Sequence, residues 1–381
     1  MKKRIYAPGP TPVPEQTRLE QAKSQFYHRS EQFGEIIVSV RHRLQELLQI
    51  NWSVLFSASS GSGAMQMVAH HLVNKEDKVL VVDSGKFGRR WKKILEKRGC
   101  RVISCYVDRG SAVKPEKIAD LLADNPDITA VFATMIETST LVRHPVEKLA
   151  KIIAPTEALF VVDAISALGA EPLYPSRWGI DVTLGASQKA LMTPPGLSFL
   201  VLSPTAEKRA GEVESEDTYF DINLALERLK KDGQTPWTPP MGLLRGLNVS
   251  LELIFSEGPE KVYERHRRLA RLARAGSEKL GLELFAEKPA VAGTSVLVPA
   301  EINAENLRDI MYRKYGVFLP GGQQELKGRL IRIGHLGDLD YFDLITIFSA
   351  LELAMPQSGL DVKMGSSLAE LQRLYLKSKT V

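Results

Sequence analysis

Three stretches of this 381-residue chain carry side chains that could do chemistry together. The first is Ser57-Ala58-Ser59-Ser60-Gly61-Ser62-Gly63-Ala64. Small residues where a strand turns into a helix leave backbone N–H groups bare at the positive end of the helix dipole. That suits an anion, most often phosphate, although such turns are also glycine-rich for steric reasons alone. The second is Asp163, which closes the apolar run Ala158-Leu159-Phe160-Val161-Val162. A carboxylate at the end of a buried strand sits where open α/β sheets bind ligands; a cap on the next turn is the plainer alternative. The third is Lys189 in Ser187-Gln188-Lys189, just after Val182-Thr183-Leu184-Gly185-Ala186. A lysine in small, apolar surroundings can lose part of its basicity and attack a carbonyl as a free amine, whereas an ordinary loop lysine is solvated.

The elements that must position these groups are legible as alternation. Short apolar runs at Val54-Leu55-Phe56, Val79-Leu80-Val81-Val82, Val102-Ile103, Ala130-Val131-Phe132, Leu159 to Val162, Val182-Thr183-Leu184 and Phe199 to Leu202 are separated by helical patterns. Those patterns lie near Ala64 to Val73, Phe87 to Lys97, Pro115 to Leu122 and Val146 to Ile153. Continuous apolar strands alternating with helices predict an α/β fold with a mostly parallel sheet buried on both faces. The pattern changes after about residue 240. A long helical stretch from Met241 to Lys279, broken at Gly258-Pro259, precedes strands at Ser295 to Val298 and Leu330 to Ile333. Helices flank them near Ala304 to Tyr315, Tyr341 to Ala354 and Leu368 to Lys377. The expected organisation is an extended, proline-rich arm over 1–14, a large α/β domain over 15–257 and a small α+β domain over 258–381.

Phosphate turn, strand-end carboxylate and lysine follow one another along the chain, and together they are more specific than any one of them. Pyridoxal 5′-phosphate needs those three groups. Its phosphate takes N–H donors, its ring nitrogen takes a carboxylate that keeps the ring an electron sink, and its aldehyde takes a lysine. Gly61-Ser62-Gly63 also begins like a dinucleotide fingerprint, with Asp83 about 20 residues on, but Gln66 stands at the third glycine position. No Gly-Lys-Ser/Thr follows the turn, which excludes a Walker-type loop.

Further motifs extend the pattern over nearly the whole chain: Ala7-Pro8-Gly9-Pro10-Thr11-Pro12-Val13-Pro14, Tyr27-His28-Arg29-Ser30, Asp163-Ala164-Ile165-Ser166-Ala167-Leu168-Gly169, Gly185 to Leu191, Thr235-Pro236-Trp237-Thr238-Pro239-Pro240 and Arg332-Ile333-Gly334-His335-Leu336-Gly337. The sequence resembles the class V (fold-type I) aminotransferases, in the branch of alanine–glyoxylate and serine–pyruvate or serine–glyoxylate aminotransferases. The resemblance implies that Lys189 bonds the cofactor aldehyde and shuttles the proton, and that Asp163 pairs with the pyridine nitrogen. It implies that Phe87 stacks on the ring, Thr138 meets the phenolic oxygen, and Ser60, Gly61, Ser62 and Gln188 hold the phosphate. Thr238 and Thr235 would reach the phosphate of a neighbouring subunit, so that a homodimer shares its sites. Arg332 would clamp the substrate α-carboxylate and Gly9 would lie beside the substrate. Ser62 and Gly63 stand where relatives often carry a bulkier residue, Thr235 where some carry tyrosine, and Met192 to Gly196 depart from the usual glycine-rich ending. Without the resemblance, Phe87 could be core packing and Arg332 a structural ion pair.

Composition sets the remaining bounds. Hydrophobic residues are 44% and charged residues 25%, values of an ordinary globular chain. The net charge of +5 is a mild excess that suits anionic ligands without requiring nucleic acid. Arg265 to Arg274 reads as an amphipathic helix with a solvated basic face; RNA or membrane-surface binding is the competing reading. Prolines at 8, 10, 12 and 14 follow the basic start in place of an apolar stretch, so the expectation is a cytoplasmic protein without a signal peptide or membrane span. The histidines show no metal-ligand spacing, so no metal is expected. A cysteine desulfurase needs a persulfide-carrying cysteine late in the chain, and the only cysteines are Cys100 and Cys105. The leading expectation is a transaminase moving an amino group from alanine or serine to glyoxylate or pyruvate in a ping-pong cycle. Aspartate as donor is the alternative, with Arg29 the motif-linked second cation; a lyase or hydrolase of the same cofactor comes next, and a nucleotide- or RNA-binding module last.

Overall fold

The computed structural model describes residues 2–377; residue 1 of the expected arm and residues 378–381 of the expected small domain lie outside the described residues. Seven strands form the central sheet: β1 Ser53–Ser57, β2 Lys78–Asp83, β3 Arg101–Tyr106, β4 Ile128–Thr134, β5 Leu159–Asp163, β6 Val182–Ala186 and β7 Ser198–Leu202. Their order across the sheet is β1-β7-β6-β5-β4-β2-β3. Neighbours from β6 to β3 pair in parallel, while β7 pairs antiparallel with both β6 and β1. Since β7 alone is reversed, the other six strands end on the same edge. The Ser60 turn, Asp163 and the Lys189 segment all leave the sheet there, where the crevice of an open α/β sheet lies.

Helices cover both faces. One apolar layer gathers Phe33, Ile37, Val40 and Leu44 with Leu149, Phe160 and Leu247; the other gathers Met65, Val68 and Trp91 with Val81, Phe132 and Leu200. Burial on both faces explains why the strands read as unbroken apolar runs rather than alternating ones. Trp91 is fully buried and packs on Phe132, ring centroids 4.9 Å apart, which pins the helix Lys86–Arg98 to the sheet. Gly88 lies so close to β2 that a Cβ there would overlap the Val82 carbonyl oxygen.

The later part of the chain forms a three-stranded antiparallel sheet of β8 Glu283–Leu284, β9 Gly293–Leu297 and β10 Leu330–Gly334, with helices Ala304–Tyr315, Tyr341–Ala354 and Ser366–Lys377 around a separate apolar cluster. The long helix divides as expected into Met241–Glu257 and Pro259–Lys279, with Gly258 between them at φ +93°. Leu269, Leu272 and Ala273 are buried on the second of these, while Arg265, Arg267 and Arg271 pair with Glu257 or Glu264. Among the described residues, no helix is long and apolar enough to cross a membrane.

The arm differs from a free extended segment. Arg4–Ile5 pair in parallel with Val317–Phe318, because the prolines that prevent pairing begin only at Pro8. Tyr6 is buried in the late apolar cluster, and the Gly334 N–H donates to its carbonyl at 2.9 Å. Gly334 touches the arm so closely that a Cβ there would overlap the carbonyl of Ala7. Gly334→Ala should therefore push the arm off β10 and destabilise the protein by about 1–3 kcal/mol, the usual cost of overpacking. A thermal melt checks this, with limited proteolysis reporting whether the arm has come loose; an unchanged melt with a protected arm would contradict it.

Candidate active site

At the strand-end edge lies a cavity of about 280 Å³. Its wall brings together Gly9, Ser60, Gly61, Ser62, Phe87, Thr138, Asp163, Gln188 and Lys189, so nine of the sequence-predicted site residues meet. Ser60 is the N-cap of the helix Gly61–His71, and the turn presents its first N–H groups to the cavity. Gly61 packs against Ile165, whose Cδ1 would overlap any Cβ at that position. Asp163 ends β5 and is 3% exposed. The Ile165 N–H donates to its Oδ1 at 3.0 Å, and no ion pair engages it among the described residues. Burial is the main cause that lifts its carboxyl to about 6; the nearby Glu137 charge adds to this, and the Ile165 N–H, Lys189 and Arg90 oppose it.

Lys189 is 7% exposed and donates from Nζ to the Pro8 carbonyl at 2.9 Å. Burial above all, then Arg332, pushes its ammonium down to about 8, with Asp163 and Glu137 pulling the other way. The arm is fitted to this lysine. Thr11 donates its N–H to the Gln188 carbonyl and its hydroxyl to the Lys189 carbonyl, at 3.1 and 2.8 Å. Gly9, at φ +129°, leaves the room the lysine occupies, since a Cβ there would stand 2.6 Å from Lys189 Cε.

Phe87 lies at the start of the helix Lys86–Arg98 and lines the cavity. Its placement depends on Glu137, which is fully buried. The Phe87 and Gly88 N–H groups donate to one Glu137 carboxylate oxygen at 3.0 and 3.1 Å, and the Ser139 N–H and hydroxyl donate to the other. A buried carboxylate thus caps the helix from the neighbouring loop. Thr138 shares a 2.6 Å hydrogen bond with Ser166, which also lines the cavity. Arg332 is 8% exposed and donates from Nε to the Gly321 carbonyl and from Nη1 to the Thr138 carbonyl, at 3.0 and 2.9 Å. Further guanidinium donors remain for a carboxylate. Burial, then Arg308, lowers its pKa to about 10.

Arg332 stands behind Thr138 and is not on the cavity wall, and Thr235, Thr238 and Arg29 are not brought to this cavity. The two threonines line a second cavity with Tyr219, Phe220 and Trp237, and Arg29 donates to the carbonyls of Thr235 and Pro236 at 3.0 and 3.3 Å. Cys100 and Cys105 are free and buried, their thiols pushed up by burial, and neither lines the Lys189 cavity. Sequence reasoning gave no role to Glu137, Ser166 or Arg90. Arg90 stands three residues after Phe87 on the same helix, a spacing that puts both on one face and could have flagged it.

The residues present suit pyridoxal 5′-phosphate. The N-terminal turn at Ser60 is not capped by its own side chain, Gln188 lines the same cavity with an amide that can donate, and Asp163 and Lys189 face it without touching. The family model for class-V aminotransferases matches residues 16–326. The chain belongs to the class-V aminotransferases. It is a transaminase, and its fold is that of fold-type I aminotransferases. The L-aspartate–glyoxylate aminotransferase of Paracoccus denitrificans is 31% identical, the match covering 97% of this chain and 96% of that protein. The serine–glyoxylate aminotransferase of Hyphomicrobium methylovorum is also 31% identical, covering 99% and 95%. Among solved structures, the pyridoxamine–pyruvate aminotransferase of Mesorhizobium loti superposes with a TM-score of 0.94 at 24% identity, over 99% of this chain and 98% of that one, a likeness of fold.

In this aminotransferase the two buried groups give opposite pH signatures before any cofactor is added. Lys189 titrates near 8 in the fold and at 10.5 when free, so between those values the unfolded chain binds more protons and stability rises with pH. Asp163, lifted from 3.8 to about 6, makes stability fall as pH rises through that interval. The cofactor-free Lys189→Met variant should lose the rise between about pH 8 and 10, a contribution on the order of 3 kcal/mol in the parent. Urea unfolding across that pH range measures it, and a rise of the same size in the variant would contradict the assignment.

Proposed function

We propose that this transaminase carries an amino group from alanine or serine to glyoxylate or pyruvate in two half-reactions on pyridoxal 5′-phosphate. The observation that carries the reading is a buried lysine, its basicity lowered, facing the same cavity as a buried strand-end carboxylate. Bound there, pyridoxal 5′-phosphate would supply a carbonyl that accepts the amino group and a protonated ring that takes up the electron pair left by loss of the α-proton.

The chain's own residues have these tasks. Lys189 Nζ, near 8, is in part a free amine at neutral pH, so it would be able to bond the cofactor carbonyl with loss of water and, once a substrate amine has displaced it, to hold the proton lost from the substrate α-carbon and return it on the same face. Asp163 would hold the ring N–H by accepting from it in a dry site, where such a bond is strong. The first N–H groups of the helix Gly61–His71 and Gln188 would hold the phosphate, Phe87 would cover the ring, and the Thr138 hydroxyl would serve the phenolic oxygen. Arg332 grips the α-carboxylate, which every amino-acid and keto-acid partner shares. One clamp serving both partners fits a two-stage cycle.

Glyoxylate as acceptor is supported by two relatives that carry it in their names, and serine as donor by one of them. Aspartate is the second reading, supported by the other relative. Its distal carboxylate would want a cation, and Arg29 is engaged with backbone carbonyls away from the cavity. We also assign Thr235 and Thr238 to the site of a second subunit. The loop lies apart from its own cavity, and beside it Trp237 and Tyr219, 44% and 49% exposed, stack with planes 1° apart, an apolar surface suited to a partner. The free thiols suit the reducing cytoplasm.

Lys189→Ala should remove the borohydride-reducible adduct and all transamination. Arg332→Lys should lower kcat/KM by roughly 10- to 100-fold for alanine, serine and aspartate alike, since a point charge replaces a fork that meets the group they share. A matrix of those donors against glyoxylate and pyruvate measures both. An adduct that persists in Lys189→Ala, or loss of one donor alone in Arg332→Lys, refutes the assignment concerned. For the assembly, sedimentation at assay concentration should show a dimer, and Thr238→Ala should weaken cofactor binding although Thr238 lies outside its own chain's cavity. A fully active monomer overturns the shared site.

A further inference from the structure

The cavity wall contains two cationic side chains, Lys189 and Arg90. Lys189 is held at the arm by the Pro8 carbonyl. Arg90 lies at the opposite feature, the Ser60-Gly61-Ser62 turn: its Nη1 donates to Ser62 Oγ at 2.6 Å, and its guanidinium rests 4.8 Å over the Phe87 ring centre. It projects from a helix that cannot shift easily, with Gly88 pressed on the Val82 carbonyl and Trp91 buried against Phe132. The Ser62 hydroxyl accepts from Arg90, so its own proton is left to donate to a further acceptor.

A phosphate monoester carries roughly −1.5 to −2 charges near neutral pH. The turn and Gln188 offer it neutral donors, and taking such a charge out of water without a cation is costly. We propose that Arg90 is the counter-charge of the cofactor phosphate, fixed at the phosphate turn through Ser62 and the face of Phe87, and not a clamp for a substrate's second carboxylate. This rests on the reading of the site as a pyridoxal 5′-phosphate site. It also gives a physical sense to the small residue at 62: a hydroxyl there leaves space for the guanidinium to reach the turn from the next helix.

The test compares two ligands that differ in the phosphate alone. The full-length protein, stripped of cofactor, is titrated by absorbance with pyridoxal 5′-phosphate and with pyridoxal. In Arg90→Gln the dissociation constant for pyridoxal 5′-phosphate should rise on the order of 10- to 100-fold, the scale of a lost charge-assisted pair, while that for pyridoxal stays within about twofold. Arg90→Lys should fall between parent and Arg90→Gln, and Ser62→Ala should weaken pyridoxal 5′-phosphate selectively but less. These two variants carry the same comparison should Arg90→Gln not fold. In the loaded parent the phosphorus resonance should titrate at lower pH than in the loaded Arg90→Gln, because a neighbouring cation favours the dianion. Equal weakening of both ligands would reduce Arg90 to packing. An unchanged affinity would remove its role, and a loss of aspartate turnover alone at saturating cofactor would make it a substrate clamp; each overturns the proposal. A parent protein that binds neither ligand would instead refute the cofactor reading itself.

Discussion

The structure turns on a lysine amine kept out of water with a neutral carbonyl as its bonded partner. Lys189 Nζ touches the Pro8 carbonyl, and the nearest carboxylates, Asp163 and Glu137, act on it through space. A direct ion pair would hold the ammonium charged and make it a poor nucleophile. Both carboxylates are kept from closing on it. Asp163 is tied by the Ile165 N–H at the end of β5, and Glu137 is committed to the amides of Phe87, Gly88 and Ser139. The lid over the amine is the arm, which reaches it only because Arg4 and Ile5 pair with Val317 and Phe318 and because position 9 has no side chain. The reactivity of one residue therefore depends on contacts from both ends of the chain.

What could be read in advance follows from how local each signal is. The sheet was legible because strands buried on both faces are apolar at every position, and Lys189, Asp163 and the 60–62 turn were legible because each stands directly beside such a strand. The reversal of β7 was not legible, since Phe199 to Leu202 is as apolar as its parallel neighbours. The helix Glu31–Leu48, not among the expected elements, has a clear signal, with Phe33, Ile37, Val40, Leu44 and Leu48 on one face behind a Ser30 cap. Glu137, Ser166 and Arg90 remained hidden for a different reason. Each acts through a partner from another strand end: Glu137 through the helix after β2, Ser166 through Thr138, and Arg90 through Ser62. Such meetings are set by topology; of the three, only Arg90 leaves a mark in the spacing, through the helical face it shares with Phe87.

The choice of donor is the least legible property, and the cavity shows why. Its uncharged wall includes Pro10, Met65, Ile136, Ile165 and Pro195. An apolar wall separates side chains that differ by one methylene or hydroxyl by only about 1–3 kcal/mol, so alanine and serine are near neighbours for such a site. Aspartate differs by a full charge, and that difference is decided by whether a cation is free to meet it. The allocation of Arg90 to the phosphate turn and of Arg29 to the 235–236 carbonyls bears on substrate choice more directly than the shape of the wall.

Arg332 links the two halves of the chemistry. It lies on β10 in the late sheet, yet Nη1 donates to the carbonyl of Thr138, which lines the cavity. The preceding residue, Glu137, caps the helix that carries Phe87 and Arg90, and Ser295 on β9 donates to the Thr140 carbonyl of the same loop. One short loop, 137–140, thus sets Phe87, Thr138 and Arg332 relative to one another. Movement of β10 away from the large sheet would break the Thr138 bond and, through the Gly334–Tyr6 bond, draw the arm and its Pro8 carbonyl from Lys189, while Asp163 and the 60–62 turn stay with the central sheet. Arg332 and the arm over Lys189 therefore depend on how the late sheet docks on the loop and the arm, whereas Asp163 and the 60–62 turn depend on the edge of a sheet that is already buried on both faces.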